Sequence, residues 1–341
     1  MIKIGIVGFG FIAQNGHTPF YINNPDIVVV GVTDPCQARL FEAAKIFPNA
    51  KCFRTVDKML KCLKGQIDIV DICTPPYAHF NIISKTINSG LHVICEKPLV
   101  IDKDQIDYLI NLSQKNGLVI YPCHNYHFSP IVQMAKNFIQ EKYIGIPQKV
   151  ILHTYRTSHA LGVKEWFPNW RRYKKYSGGG ILMDHGPHSS YIVHELLGKP
   201  NPLEVSCVKG NLRNKNYKTE DTAHLEISFI DGKHATILLS WASAYRQTRY
   251  LVIGTSGYLE LDDDKIILHN NGNSITQDTQ AKFNDPSHSN WFGPMFWDFQ
   301  QKIFATELSI RQSALLEARM VLEIIQSAYL SSENGGQLVS I

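Results

Sequence analysis

The chain has 341 residues, of which 44% are apolar and 19% charged, with a formal charge of +4. Two packed domains are the natural division at this length, and so small a positive charge argues against a nucleic-acid partner. The longest apolar runs, such as residues 27–30, are strand-sized and too short to span a bilayer.

The opening run, residues 2–7, reads as a β-strand rather than a signal peptide, because Gly8, Gly10 and Gln14-Asn15 interrupt any apolar region. Directly behind it stands Gly8-Phe9-Gly10-Phe11-Ile12-Ala13, and Asp34 closes the next apolar run, residues 27–33. A strand, a tight glycine turn and a helix start together present backbone N–H groups to a pyrophosphate. Gly8 permits the turn, Gly10 lets phosphates approach the backbone, and Ala13 stands where a third glycine usually packs helix on strand. Asp34, 21 residues beyond Ala13, is placed to accept hydrogen bonds from both hydroxyls of a ribose. Glycine turns alone also occur in ordinary loops; here both strands and the acid are in register. A dinucleotide is therefore expected on Gly8, Gly10, Phe11, Ile12 and Asp34. The Asp34 carboxylate would repel a 2′-phosphate and Pro35 has no donor to bind one, so NAD is expected over NADP. Arg39, one helical turn on, would soften that preference.

Further strand-like runs at 67–73, 92–95 and 118–121 alternate with helical patterns at 36–46, 78–89 and 103–115. Short, nearly all-apolar strands between helices indicate an α/β unit with a parallel sheet covered on both faces. Ligands bind such sheets at the carboxyl ends of the strands, where Thr74-Pro75-Pro76 and Glu96-Lys97-Pro98 fall. A lysine in a loop is commonly a solvated charge; at this edge Lys97 can hold a substrate oxygen or exchange a proton with it. The seven cysteines lack CxxC spacing and read as small core residues, which fits a reducing cytoplasm.

After about residue 124 strand signals follow one another without helices between them, at 149–155, 203–209, 222–229, 234–240, 249–253, 258–261 and 265–269. Asp231-Gly232 and Asp262-Asp263-Asp264 read as hairpin turns, residues 309–330 as a long C-terminal helix, and polar residues 270–285 as a mobile loop. The expected division is residues 1–123 and 124–341, the second unit being α+β with a largely antiparallel sheet. Leu225, Ile227 and Phe229 alternate along one strand and call for cover by helices or by a partner sheet in a homodimer or homotetramer.

Within this second unit, Gly178-Gly179-Gly180 precedes Asp184, His185 and His188. Asp184 and His188, four apart, share a face if one helix carries both, and an acid beside an imidazole holds a base in one tautomer. A packed histidine is the commoner role for such a residue, and a metal on Asp184, His185 and His188 would lack further ligands at diagnostic spacing, so no metal is expected. Arg171-Arg172-Tyr173-Lys174-Lys175 is either a solvated loop or a clamp for phosphate or carboxylate.

In this order and spacing the pieces resemble the Gfo/Idh/MocA oxidoreductases, the family of glucose–fructose oxidoreductase and inositol dehydrogenase. The likeness covers nearly the whole chain: residues 8–13, Asp34, Cys73-Thr74-Pro75-Pro76 with His79, Glu96-Lys97-Pro98, Asn125, Trp170-Arg171, Ser177-Gly178-Gly179-Gly180, Asp184 and His188. It implies an N-terminal Rossmann domain and a C-terminal open sheet that usually mediates dimers or tetramers. It also implies a catalytic group of Lys97, Asp184 and His188. Thr74, Pro75, His79, Glu96, Lys97 and Asn125 would then lie along the cofactor, and Trp170, Arg171 and Tyr191 would join the catalytic group around the substrate. Two positions depart from the family. Tyr191 stands where an acid often follows the catalytic histidine by three residues, and His127-Phe128-Ser129-Pro130 stands where arginine and aspartate are common. Both departures weigh against an inositol-type substrate and leave the cofactor and catalytic positions intact.

The expected activity is NAD-dependent hydride transfer between the nicotinamide and a secondary alcohol or ketone of a sugar, cyclitol or sugar derivative. The alternatives are a phosphorylated or nucleotide-linked sugar held by Arg171, Arg172 and Lys174, a glycosidase using tightly held NAD, and a non-catalytic dinucleotide-binding sensor.

Overall fold

The computed structural model describes every residue except Ala281 and Asn284. Six parallel strands, β1 (Ile2–Val7), β2 (Ile27–Thr33), β3 (Lys51–Phe53), β4 (Ile69–Ile72), β5 (His92–Cys95) and β6 (Ile120–Pro122), form one sheet in the order β3-β2-β1-β4-β5-β6. The order reverses at β1, so the glycine turn stands at the switch point where ligands of doubly wound sheets bind. β4 is buried along its whole length, which is why these strands read as continuous apolar runs rather than alternating ones.

One face of this sheet is covered by the helices Gln37–Ile46 and Ser289–Phe304, which bring Ala43, Phe292, Met295, Phe296 and Phe299 onto Ile4, Ile6 and Val29. The other face takes Val56–Cys62, His79–Asn88, Lys103–Asn116 and part of the helix Leu308–Glu333, through Met59, Ile83, Leu109, Leu315 and Leu322. The chain thus returns from its second half to complete the core of its first. After β1, Gly8 takes φ +88°, and a Cβ there would lie 2.9 Å from the carbonyl of Cys73, so only glycine fits.

The second sheet has nine strands: β7 (Pro147–Tyr155), β8 (Pro202–Gly210), β9 (Thr222–Phe229), β10 (His234–Ser240), β11 (Gln247–Gly254), β12 (Gly257–Asp262), β13 (Lys265–Asn270), β14 (Asn273–Asp278) and β15 (Val339–Ser340). Their order is β14-β13-β12-β11-β7-β10-β9-β8-β15, antiparallel except for the β7–β10 pair. Leu225, Ile227 and Phe229 are buried in the core beneath this chain's own helices, so a partner sheet is not what covers them. The opposite face carries exposed His224 and Glu226 on β9, with half-buried Ile151, Leu238, Leu251 and Ile253 near its centre.

Both expected hairpin turns are present, with Gly232 at φ +80° and Asp263 at φ +46°. The expected loop at 270–285 is instead partly a strand: β14 pairs with β13 across a two-residue turn, Asn271-Gly272, with φ of 51° and 77°. Asn-Gly is the preferred pair for such a turn, but every side chain of β14 is exposed, so no apolar alternation announced it. Ala281 and Asn284, within the same expected loop, lie outside the described residues. Among the described residues no helix is long and apolar enough to cross a membrane.

If Ser289–Phe304 completes the first core, then Phe296→Ala, at a fully buried site, should destabilise the protein by about 3–5 kcal/mol. Phe304→Ala, at a site 75% exposed on the same helix, should stay within about 0.5 kcal/mol. Urea titration followed by circular dichroism measures both; equal losses would remove the helix from the core.

Candidate active site

The cofactor side of the site begins at the carboxyl end of β2. Asp34 accepts the Phe9 N–H at 2.8 Å and the Cys36 N–H at 2.7 Å, which ties it to the glycine turn. Burial pushes its carboxyl up, and these two N–H groups oppose that rise. Arg39 does not face open space: it forms an ion pair with Glu165 at 2.5 Å and donates to Gln14 at 3.2 Å. Glu165 belongs to the segment after β7 that reaches back over the cleft, and Val163 of that segment comes within 3.8 Å of where a Gly10 Cβ would be.

The loops after β4 and β5 are tied together from beneath. His79 is fully buried, with one ring nitrogen 2.7 Å from the Thr74 carbonyl and the other 2.9 Å from that of Pro98. It braces the loops and is not itself presented to the cleft. Above it, Thr74 Oγ1 and Asn125 Oδ1 are buried without a hydrogen-bond partner, a state that is rare unless a ligand or water completes it. With the two-glycine turn and Asp34, these atoms fit a dinucleotide lying across the carboxyl ends of the strands.

Glu96 is anchored by a network that sequence reasoning missed. Its carboxylate is 3.4 Å from His17 Nε2 and accepts the Lys97 N–H at 3.2 Å. His17 Nδ1 lies 2.8 Å from Asp71, which also accepts the Tyr21 hydroxyl at 3.0 Å. Burial works against a charge on His17, but Asp71 holds its pKa well above the ordinary 6.5. The available signal was Asp71 itself, an acid inside an otherwise apolar strand.

Lys97, Asp184 and Arg171 meet where the two sheets face each other. Lys97 Nζ donates to the Asp184 carbonyl at 2.7 Å and to its carboxylate at 3.2 Å. Arg171 Nε lies 3.3 Å from the other carboxylate oxygen, an ion pair without hydrogen-bond alignment, and its guanidinium covers the Trp170 ring at 4.2 Å. Burial works against the Asp184 carboxylate, yet Lys97 and Arg171 hold it well below its ordinary 3.8.

His188 is brought close to this group but is not hydrogen-bonded to Asp184. The helical turn Ile181–Asp184 ends at His185, and a new helix, Gly186–Leu196, starts with Pro187 in its first turn. The four-residue spacing therefore does not run along one helix. The ring partner of His188 is Tyr191, whose hydroxyl lies 2.7 Å from Nδ1 and accepts the Tyr126 N–H at 3.2 Å. Tyr191 is fully buried, with its ring centroid 4.3 Å from that of His124 and 4.5 Å from that of His127. It stands behind His188 rather than lining open space. Burial, then the Lys97 charge, push His188 well below its ordinary 6.5, so the ring is neutral.

The three glycines serve packing. A Cβ on Gly180 would lie 1.9 Å from the Glu220 carbonyl oxygen, and one on Gly179 would lie 1.9 Å from the Tyr329 hydroxyl. Glu220 accepts the N–H groups of Gly180 and Leu182 and the Tyr329 hydroxyl, at 2.8, 3.2 and 2.7 Å. This clamp sets the turn that carries Asp184. The basic run is divided: Arg171 turns to Asp184, Arg172 donates to His159 at 2.6 Å, and Lys174 lines a separate cavity of about 320 Å³ with Lys209 and Lys218. Asp184, His185 and His188 do not converge as metal ligands, because the Asp184 oxygens are engaged by Lys97 and Arg171.

Residues 2–124 match the family model of the oxidoreductase family with an NAD-binding Rossmann fold, and residues 132–260 match the GFO/IDH/MocA C-terminal domain. D-glucoside 3-dehydrogenase of Escherichia coli (strain K12) is 26% identical over 296 residues, 81% of each chain. The 2,7-anhydro-N-acetylneuraminate hydratase of the same strain is 26% identical over 267 residues, 77% of this chain and 68% of that one. In fold the chain is similar to GenD2 from gentamicin A biosynthesis in complex with NAD, 22% identical, with a TM-score of 0.83 over 100% of this chain and 96% of that one. It is equally similar, with a TM-score of 0.83 over 100% and 97%, to an inositol dehydrogenase homolog from Azotobacter vinelandii complexed with NADH and myo-inositol, 18% identical. With both halves matched, the chain belongs to the GFO/IDH/MocA oxidoreductase family and carries its NAD-binding Rossmann fold.

Proposed function

We propose that this protein is a dehydrogenase that moves a hydride between NAD and a secondary alcohol or ketone carbon of a sugar, cyclitol or sugar derivative. The observation that carries this reading is the pairing, in one cleft, of a neutral buried His188 with a lysine anchored by an ionised carboxylate. Bound NAD supplies the hydride acceptor. Oxidation of an alcohol then leaves one proton on oxygen for the protein to remove. His188 takes it at Nε2, in the tautomer whose Nδ1–H donates to the Tyr191 hydroxyl oxygen. Lys97 spends two N–H bonds on Asp184 and turns the third toward the substrate oxygen as negative charge develops there. Asp184 thus orients Lys97, and Tyr191 orients His188. Ketone reduction uses the same groups in reverse. The substrate class is supported by the relative that acts on D-glucosides and by the neighbour bound to myo-inositol. A sensor that only binds dinucleotide has no need of this arrangement. The division of Arg171, Arg172 and Lys174 among three partners weighs against one phosphate clamp.

His188→Ala should lower kcat by about a hundred- to ten-thousand-fold while NAD affinity and melting temperature change little. Because burial and Lys97 disfavour the imidazolium, wild-type kcat/KM for oxidation should hold constant as pH falls through 6.5 and decline only below it. A stable His188→Ala enzyme with near-normal turnover would return His188 to packing. Absence of NADH formation with every sugar and polyol offered would sink the dehydrogenase reading.

NAD is preferred over NADP because Asp34 would face a 2′-phosphate and Arg39 is neutralised by Glu165. Asp34→Ala should erode the preference in kcat/KM by roughly tenfold or more, and a wild-type enzyme equally efficient with NADP would contradict it.

The sheet face bearing Ile151, Leu238, Leu251 and Ile253 pairs with the same face of a second copy, giving a homodimer or homotetramer. Light scattering at micromolar concentration should show the oligomer and its dissociation by Leu251→Lys; a monomeric wild type would refute the pairing.

A further inference from the structure

We infer that His124, His127 and Glu317 form a binding site for one divalent cation of the zinc type, placed behind the catalytic histidine. Their ligand atoms all lie within 4.8 Å of one another. His124 and His127 come from the start of one short turn, Asn125–Phe128, and Glu317 comes from the C-terminal helix nearly two hundred residues later. Two imidazoles and one carboxylate, with a position left for water, are a ligand set that zinc and its neighbours in the first transition row accept.

The geometry is close to what such an ion needs. Glu317 oxygens stand 2.7 Å from His124 Nδ1 and 3.0 Å from His127 Nε2. Tetrahedral zinc, with bonds of about 2.0–2.2 Å, places its ligand atoms about 3.3 Å apart, so each imidazole has to draw back from Glu317 by only a few tenths of an ångström. No proton need leave the protein, because each imidazole can keep its proton on the other nitrogen. For His127 that nitrogen, Nδ1, faces the Glu195 carboxylate at 3.9 Å, the outer-sphere partner that metal-bound histidines commonly have. Glu195 is itself occupied by Lys136 at 2.8 Å and Lys199 at 3.1 Å, which keeps it out of the first ligand set.

Access separates this cluster from its rival. The side chains of His124, His127 and Glu317 are 6%, 14% and 16% exposed, whereas those of His17 and Asp71, which form a second cluster with Cys73 and of which His17 also meets Glu96 and Cys123, are 3% and 0%. An ion can reach the first and is closed off from the second. Occupancy would brace the two imidazoles that pack against Tyr191, and through the Tyr191 hydroxyl it would steady His188. The ion is thus structural, and this inference does not depend on the identity of the substrate.

The test is titration of tag-free, EDTA-dialysed full-length protein with Co²⁺, read by visible absorption, and with Zn²⁺, read by calorimetry and melting temperature. The expected result is one equivalent of Co²⁺ with tetrahedral visible bands, no thiolate charge-transfer band, and a higher melting temperature with Zn²⁺. Glu317→Gln and His127→Gln should each weaken binding at least 100-fold, while Cys73→Ser leaves it unchanged. Should either ligand variant fold poorly, nitrogen NMR of labelled histidines in the wild type replaces it, and His124 Nδ1 and His127 Nε2 should shift on adding Zn²⁺. A thiolate band, binding unaffected by Glu317→Gln, unmoved histidine resonances, or no stoichiometric binding would each overturn the inference.

Discussion

The arrangement depends on one buried carboxylate. Asp184 is supplied by the second half of the chain, and its strongest partner, Lys97, comes from the carboxyl end of β5 in the first. Burying a lone carboxylate is costly, and removing one partner from a buried pair typically destabilises by about 3–5 kcal/mol. Asp184 avoids that penalty only while Lys97 and Arg171 both reach it. The ion pair is therefore a constraint on where the two halves meet as well as part of the proposed catalytic group. The rest of the neighbourhood is built to keep it in register: His79 ties the Lys97 loop to the Thr74 loop, Glu96 holds the Lys97 N–H, and Glu220 clamps the glycine turn before Asp184.

Those supports explain why the second half sends its last two helices back to the first sheet. Ser289–Phe304 buries Phe292 against His17, with ring centroids 3.8 Å apart, and His17 in turn meets both Asp71 and Glu96. Leu308–Glu333 carries Tyr329 to Glu220 and Glu317 to His124 and His127. Both helices add apolar area to more than one core; the first stacks a ring on His17, and the second brings polar contacts to Glu220, His124 and His127. Burying polar groups is tolerable because nearly every one has a partner. The notable exceptions at the cleft, Thr74 Oγ1 and Asn125 Oδ1, are where a cofactor completes the set.

How much of this was legible in the sequence follows from the range of each interaction. The parallel strands and the glycine turn were readable because burial on both faces leaves continuous apolar runs and because Gly8 answers a local steric demand. β14 was not, since an exposed edge strand carries no apolar signature, although Asn271-Gly272 marked its turn. Asp184 and His188 were singled out, and the fold brings both to one cleft, but their pairing was inferred from a helical period that Gly186 and Pro187 interrupt. Glu220, Tyr329 and Glu317 were invisible because their partners lie up to 193 residues away and no spacing rule spans that distance. Tyr191 was noticed as a substitution for an acid; only the fold revealed that its hydroxyl meets His188 and its ring packs against two imidazoles.

The same cleft pushes two titratable groups in opposite functional directions. Burial disfavours charge on both Asp184 and His188, and the Lys97 charge then divides them: it restores the carboxylate to its ionised form and further discourages the imidazolium. The result is one fixed anion and one neutral proton acceptor within reach of a single ammonium, the separation from which acid and base roles are assigned. In the proposed mechanism Lys97 therefore acts three times, as partner to the anion, as guardian of the neutral imidazole and as donor to the substrate oxygen. Arginine would keep the charge at this position but spread its donors in a planar fork matched to carboxylates, at the expense of the third N–H directed at the substrate oxygen. The compact, three-donor geometry of lysine is what lets one residue meet all three demands.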